Sequence, residues 1–551
     1  MSANEDDETT ARALALAGRF WDGLLRHEPV LATAIGDERF DELLPDPSPE
    51  GLTALEGLCR GALEEADGID TERLDLVPRT TLDVLNAICR RFLAGIEHRT
   101  DRLVPANHML GPSQLVGEIA SLQRTDSPER RDRYEARLRA IPAYLEASTQ
   151  IMREGAAAGV TLPRVVVERC VALVERLVAS PPEDSPALLP LEPEDREPFV
   201  AVVRDVVAPA YRDYLLALRE HLPHATETIG LSAVPNGDEM YGAEILAWTT
   251  LSLEAREVHE LGVARYESIA EERRAVASEL GYASPAAAVT ARTASGDNAA
   301  ATPEALVALA EDQVHRSWEM APLFFGLMPA ANCEVRRVEE FREVEAPAAF
   351  YYGPTEDGER PGIYYVNAYD LQNRPLHHLA AITYHEANPG HHFQIAIEQE
   401  MTDRPALRRF GGLMAGSSFA EGWGLYAERL ADEMGLYVDA WERLGMLEAQ
   451  AHRAARLITD TGIHAFGWTR EAAIAKLEDA GLPPIDAAIE IDRYIAMPAQ
   501  ALSYMVGMIE IENARRSAER RDGADFSLQA FHDHLLSLGQ LPLPALRREL
   551  G

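Results

Sequence analysis

Residues 377–400 read HHLAAITYHEANPGHHFQIAIEQE, and they hold His377, His378, His385, His391 and His392 together with Glu386. Imidazoles and carboxylates at this density point to metal chemistry. The His385-Glu386 pair offers one metal ligand and one general base for a hydrolytic site. In a zinc-protease helix, H-E-x-x-H puts both histidines on one face, about 6 Å apart along the axis. That register fails here because residue 389 is proline. In an unbroken helix His391 points about 120° away from His385, and His392 lies about 10.5 Å along the axis. Pro389-Gly390 interrupts the helix, since proline disrupts the turn before it and glycine adopts dihedrals closed to other residues. A bulge there brings His391 back to the His385 face. The expectation is a distorted H-E-x-x-x-x-H.

Zinc requires a third protein ligand and an open position for water. Residues 419–429, FAEGWGLYAER, supply two candidates on one helical face, Glu421 and Glu428. Glu421 is nearer the end that faces the site, and Glu428 better suits an orienting role behind a ligand. Another His-Glu pair, His259-Glu260, has no histidine following it and carries no such expectation.

The elements that must hold these groups are mostly helices. Apolar and charged residues mix at three- and four-residue intervals over 11–27, 51–66, 77–97, 129–154, 163–180, 196–222, 240–280 and 303–326. The pattern returns over 373–388, 417–435, 438–460, 469–480, 485–497 and 499–520. Between these blocks, 333–368 is rich in Val and Tyr and broken by GPTEDGERP, which predicts a small antiparallel β element at about 333–367. The fold class expected is mainly α, a large helical body enclosing a deep cleft with that β element beside the site. Residues 1–10 read as a disordered tail and 11–551 as one helical body. PPEDSPALLPLEPEDRE at 181–197 marks either a surface loop or a boundary between an N-terminal part, 11–190, and a catalytic part, 191–551.

The composition narrows the partners. Ninety acidic residues against 52 basic ones give a net charge of −38. That excludes nucleic acid and an anionic membrane surface as expected partners, because no excess of Lys and Arg is available for phosphates. Cys59, Cys89, Cys170 and Cys333 are widely spaced, so neither a thiolate zinc cluster nor a disulfide framework is expected. The acidic start MSANEDDETT lacks the basic flank and apolar stretch of a signal peptide, and no apolar run is of membrane-spanning length. The expected location is the cytoplasm.

YHEANPGHHFQ at 384–394, EGWGLYAE at 421–428, DTGIHAFGWT at 460–469 and RYIAMPAQALSY at 493–504 resemble the motifs of the bacterial family called domain of unknown function 885. RPGIYYVN at 360–367 and LLPDPSPEGL at 43–52 also fit. The resemblance covers nearly the whole chain. That family is similar in turn to helical zinc metallopeptidases of the thimet-oligopeptidase type, whose ligands are two histidines and a downstream glutamate. The resemblance implies His385, His391 and Glu421 as ligands, favouring His391 over His392. Two departures from the family pattern are Asn388, where Ile or Val is common, and Ala499, where Gly is common.

The function expected is a metal-dependent hydrolase, a zinc metallopeptidase that cleaves short peptides with Glu386 as general base. Manganese, iron or cobalt would also suit two histidines and a carboxylate. His464 and Tyr504 are candidate donors to the oxyanion. Arg493 is a candidate partner for a substrate carboxylate, with a structural ion pair as the alternative. The strand around Tyr365 and Asn367 is a candidate for edge pairing with an extended peptide, its tyrosines otherwise serving the core. The alternative function is metal-dependent cleavage of a non-peptide small molecule in a specialised pathway. A non-catalytic helical scaffold is the third reading, and the retained Glu386 counts against it.

Overall fold

The computed structural model describes residues 2–340, 343, 346–354 and 361–551, and the turn-rich stretch 355–360 lies outside them. The described chain is mainly helical, with one small sheet. It divides into two compact units. The first holds the residues through Ala247 together with Asp460–Ile474 and Ala488–Ala499. The second holds Trp248–Thr459, Ala475–Ala487 and Gln500–Gly551. The expected boundary near 181–197 is therefore not where the chain divides. Those residues form short 3-10 turns whose Ala187 and Leu188 are buried in the first unit, with Tyr134 donating its hydroxyl proton to the Ala187 carbonyl. Apolar residues spaced between the prolines fasten the segment to a core.

The first unit is built on amphipathic helices such as Ser2–His27, Pro49–Asp67 and Leu76–His98. Leu16, Phe20 and Leu24 recur at helical spacing and are buried, as are Leu55 and Cys59 in the second helix and Leu85 and Ile88 in the third. Pro49 opens its helix with Ser48 capping the Gly51 N–H. The first helix begins at Ser2, so the disordered tail expected at 1–10 is replaced by helix from that residue on. Its acidic start suits the positive end of a helix, and Asp6 pairs with Arg73 at 2.8 Å.

In the second unit, β1 (Cys333–Arg337), β2 (Ala349–Tyr352) and β3 (Gly362–Val366) form a sheet in the order β1-β3-β2. β2 and β3 pair antiparallel, whereas β1 and β3 pair parallel. The sheet is thus mixed, not antiparallel. Val338, next after β1, is buried against Ile363 and Tyr365, and β2 lies on the other side of β3 from β1. Successive residues of β3 face opposite ways. Tyr364 and Val366 pack with Leu306, Ala310 and Val314 of the helix Pro303–Met320 and with Leu379.

Five helices matter for the site: α1 (Leu376–Glu386), α2 (His391–Glu400), α3 (Ser418–Glu433), α4 (Ala440–His464, of the second unit through Thr459) and α5 (Ser503–Asp522). α3 and α5 cross at two glycines. A Cβ on Gly422 would lie 2.5 Å from the Gly507 Cα, and one on Gly507 would lie 1.7 Å from the Ser418 carbonyl oxygen. No described helix is long and apolar enough to cross a membrane. Ala499, where the family pattern favours glycine, has a φ of +64°, a conformation that suits glycine better than alanine.

Candidate metal centre

α1 ends at Glu386 and α2 begins at His391, so the interruption expected at Pro389-Gly390 is present. The Asn388-Pro389 peptide is cis. Gly390 has a φ of −79°, so its role is not a left-handed turn. What it supplies is space: a Cβ there would lie 1.9 Å from the His385 carbonyl oxygen and 2.5 Å from that of Tyr384. The chain doubles back onto the end of α1, and only a residue without a side chain fits. Trp423 of α3 holds the turn, its Nε1–H pointing at the carbonyls of Pro389 (2.9 Å) and Gly390 (3.1 Å).

This turn brings His391 to His385. Their ring centroids are 4.7 Å apart with the planes at 86°. Glu421 completes the group: its Oε2 lies 3.6 Å from Nε2 of His385 and 3.6 Å from Nε2 of His391. These separations exceed good hydrogen bonds. They match ligand edges around a small ion, since bonds of about 2.0–2.1 Å at tetrahedral angles place ligand atoms roughly 3.4 Å apart. The three ligand atoms all lie within 4.8 Å of one another. The residues therefore fit a divalent ion.

One face of α3 serves His385 throughout. Glu421 offers the shared ligand atom, Gly424 lets the ring lie flat against the helix, and Glu428 binds its other nitrogen. The spacing is three and four residues, one helical turn each. A Cβ on Gly424 would meet the ring at 2.8 Å. Nδ1 of His385 donates to Glu428 Oε1 at 2.9 Å, and Glu428 Oε2 accepts from Gln450 Nε2 of α4 at 3.1 Å. That bond fixes the tautomer that leaves Nε2 free for a metal. Glu428, buried, thus takes the orienting role.

The electrostatics agree with mutual attraction among these groups. Burial acts to lower His385, but Glu421, Glu428 and Glu386 outweigh it and raise the imidazole to about 9. Burial acts to raise the Glu421 carboxyl, but His385 and His391 hold it well below the usual carboxylate range. The Nδ1 of His391 is buried with no hydrogen-bond partner among the described residues. Glu386 is partly exposed, and its carboxylate has no hydrogen-bond or ion-pair partner among the described residues.

His392 points elsewhere, as the bulge requires. Its Nε2 donates to the Ala331 carbonyl at 3.0 Å and its Nδ1 meets the Tyr351 hydroxyl at 2.8 Å. Burial lowers it to about 4. Tyr504, on α5, is brought to the group: its ring stacks beside His385 at 6.4 Å, with the Arg456 guanidinium 4.3 Å from its centroid.

The remaining candidates are placed differently. His464 belongs to the first unit and is buried, with Nδ1 accepting from the Leu231 N–H and Nε2 donating to the Tyr494 carbonyl. Both ring nitrogens are committed, so His464 has no donor to offer an oxyanion. Arg493, also of the first unit, pairs with Glu490 at 2.9 Å, the structural ion pair that stood as the alternative. Edge pairing on β3 is excluded because β3 is the central strand, with both sides occupied. Tyr365 stacks on Phe350 at 4.8 Å and serves the core. Asn367 is fully buried and donates to the carbonyls of Glu343, Ala346 and Pro347, while accepting from the Tyr369 N–H. It clamps a loop. Gly424 and Gln450 were not singled out in the sequence. A glycine inside the helical EGWGLYAE pattern is the one local signal that a close approach occurs there.

Fold and site together define a mainly helical protein with a two-histidine, one-glutamate group. The chain belongs to the family described as "Bacterial protein of unknown function (DUF885)", whose model matches residues 29–550. Two solved structures are similar. The "putative lipoprotein from Colwellia psychrerythraea" is 25% identical, with a TM-score of 0.90 and 98% of each chain covered. A "putative lipoprotein of unknown function from Shewanella oneidensis" is 18% identical, with a TM-score of 0.73 and 97% of this chain and 98% of that one covered. No curated protein matches the chain.

Proposed function

We propose that this chain is a metal-dependent hydrolase, a zinc metallopeptidase acting on amide bonds of short peptides. The observation that carries the reading is the convergence of His385, His391 and Glu421 at 3.6 Å edges, with the Glu386 carboxylate adjacent in sequence and uncommitted. The motif resemblance to helical peptidases of the thimet-oligopeptidase type supports the same assignment.

His385, His391 and Glu421 would hold the ion. Zinc, when bound there, supplies Lewis acidity sufficient to bring the pKa of a water to about 7. Glu386 takes the proton from the attacking water and delivers it to the leaving amine. Glu428 keeps the His385 ring in its tautomer and orientation through the 2.9 Å bond to Nδ1. Tyr504, whose ring stacks beside His385, would be the donor to the oxyanion.

The test is metal analysis of the purified protein followed by Glu386→Gln. The variant should keep its metal and lose about 10²- to 10⁴-fold in turnover of a short-peptide library. A chain that binds no divalent metal, or a variant with undiminished turnover, overturns the reading. Turnover of N-acyl small molecules but not of peptides would keep the chemistry and change the substrate class.

A further inference from the structure

At the opposite end of α1 a second group gathers. Nε2 of His377 and Nε2 of His378 each lie 2.9 Å from the same oxygen, Oε2 of Glu448 on α4. His377 is buried, Glu448 is 5% exposed and the His378 side chain is 25% exposed. Arg273 approaches the other carboxylate oxygen, Oε1, at 3.4 Å. With both imidazoles neutral, hydrogen bonding alone leaves this cluster one proton short.

The proton count runs through Asn298. Its Oδ1 faces the backbone N–H of His377 at 3.4 Å, and its Nδ2 faces Thr293 Oγ1. A backbone N–H can only donate, so the amide is oriented with oxygen toward His377. The same Oδ1 lies 2.8 Å from Nδ1 of His377, which must therefore carry a proton. In a neutral imidazole Nε2 is then a bare lone pair, aimed at a carboxylate oxygen 2.9 Å away. A lone pair and an anionic oxygen at that distance repel unless a proton or a metal ion lies between them.

We propose that His377 Nε2, His378 Nε2 and Glu448 Oε2 form a second divalent-cation site, taking a first-row transition ion of the zinc or cobalt type. The donor set is two imidazoles and one carboxylate, which suits such ions. The three atoms lie within 4.8 Å of one another. The 2.9 Å edges correspond to ligand angles near 90° at bonds of about 2.05 Å, the geometry of a site with more than four ligands. Water completes it from the side on which His378 is exposed. Asn298 supplies the outer hydrogen bond that fixes the tautomer of a metal-bound histidine, and Arg273 engages the oxygen that does not ligate. The ion would fasten the first turn of α1 to α4, whose Gln450 also supports Glu428 at the other end of α1.

Zinc stoichiometry tests this independently of the first site. The full-length chain, stripped with chelator and reloaded with zinc alone, should hold two ions. His391→Ala disables the first site and should leave one. His391→Ala combined with His378→Gln should leave none, with the fold checked by circular dichroism. Glutamine retains a donor for Glu448, and His377→Gln repeats the test should that double variant unfold. One zinc in the parent chain with none in His391→Ala overturns the second site and leaves the first standing. So does a single zinc that survives both substitutions. A parent chain without zinc overturns both.

Discussion

Replacing Gly424 with alanine should weaken metal binding while leaving the metal-free fold as stable as before. Gly424 lies one turn from Glu421 and one from Glu428, against the face of the His385 ring. A methyl group there would sit 2.8 Å from Cε1, 2.9 Å from Nε2 and 3.1 Å from Nδ1. Comfortable carbon contacts are about 3.5–4.0 Å, so the ring must withdraw by roughly 0.7 Å. Metal-ligand distances tolerate about 0.2 Å. The ring is not free to follow, because Glu428 holds Nδ1 at 2.9 Å while Nε2 must reach the ion shared with Glu421. Disturbing an orienting contact of this kind costs about 10- to 100-fold in metal affinity. Against that, alanine inside a helix is favoured over glycine by about 1 kcal/mol.

The two effects therefore separate by assay. Competition with a chromophoric chelator should show zinc affinity at least about tenfold weaker in Gly424→Ala. Thermal melting of the metal-free variant should fall at or slightly above that of the parent. Gly61→Ala is the control, since Gly61 is an exposed helical glycine with nothing within 4 Å of the added methyl. It should gain stability and bind zinc unchanged. Parental zinc affinity in Gly424→Ala would refute the placement of His385 against α3. So would a large loss of metal-free stability, which would make the effect one of packing in general.

Other outcomes follow from the same site. Zinc must displace the proton that His385 carries below about 9, so apparent affinity should rise roughly tenfold per pH unit from about 7 to 9. A flat profile would contradict it. In the metal-free chain, a folded value above the ordinary 6.5 means stabilisation fully present below about 6.5 and lost as pH rises through about 9. Denaturant titration should show a loss of up to about 3 kcal/mol across that window. Asn367→Ala removes bonds to three carbonyls and should cost about 2–3 kcal/mol in unfolding free energy, with KM for any substrate unchanged in the folded fraction. A raised KM at undiminished stability would return Asn367 to a substrate-binding role.

What the sequence made legible was local. The helices follow from three- and four-residue periodicity, which a short window contains in full. The break between His385 and His391 follows from proline and glycine at fixed offsets, and so does the opposite fate of His392. Glu421 and Glu428 were separable because one helical face carries both, two turns apart. What stayed hidden depends on which distant segments meet. β1 pairs parallel with β3, with β2 on the other side of β3, and Val- and Tyr-rich strands look alike whether their neighbour is parallel or antiparallel. His464 lies in a motif dense with functional residue types, yet its partners, Leu231 and Tyr494, come from segments far away in sequence.

The glycines show the same division in physical terms. A glycine in a turn announces itself by its neighbours, as Gly390 does after Pro389. A glycine inside a helix costs stability locally, and the reason it stands there belongs to whatever approaches it. Gly422 admits Gly507, and Gly424 admits the His385 ring. Both contacts lie on one turn of α3, next to the proposed ligand Glu421. α3 therefore sits closer to α5 and to the end of α1 than side chains would allow. That close approach lets a carboxylate as short as Glu421 come equally near to two histidines from two different helices. The 3.6 Å edges are in this sense set by two missing side chains as much as by the three ligands.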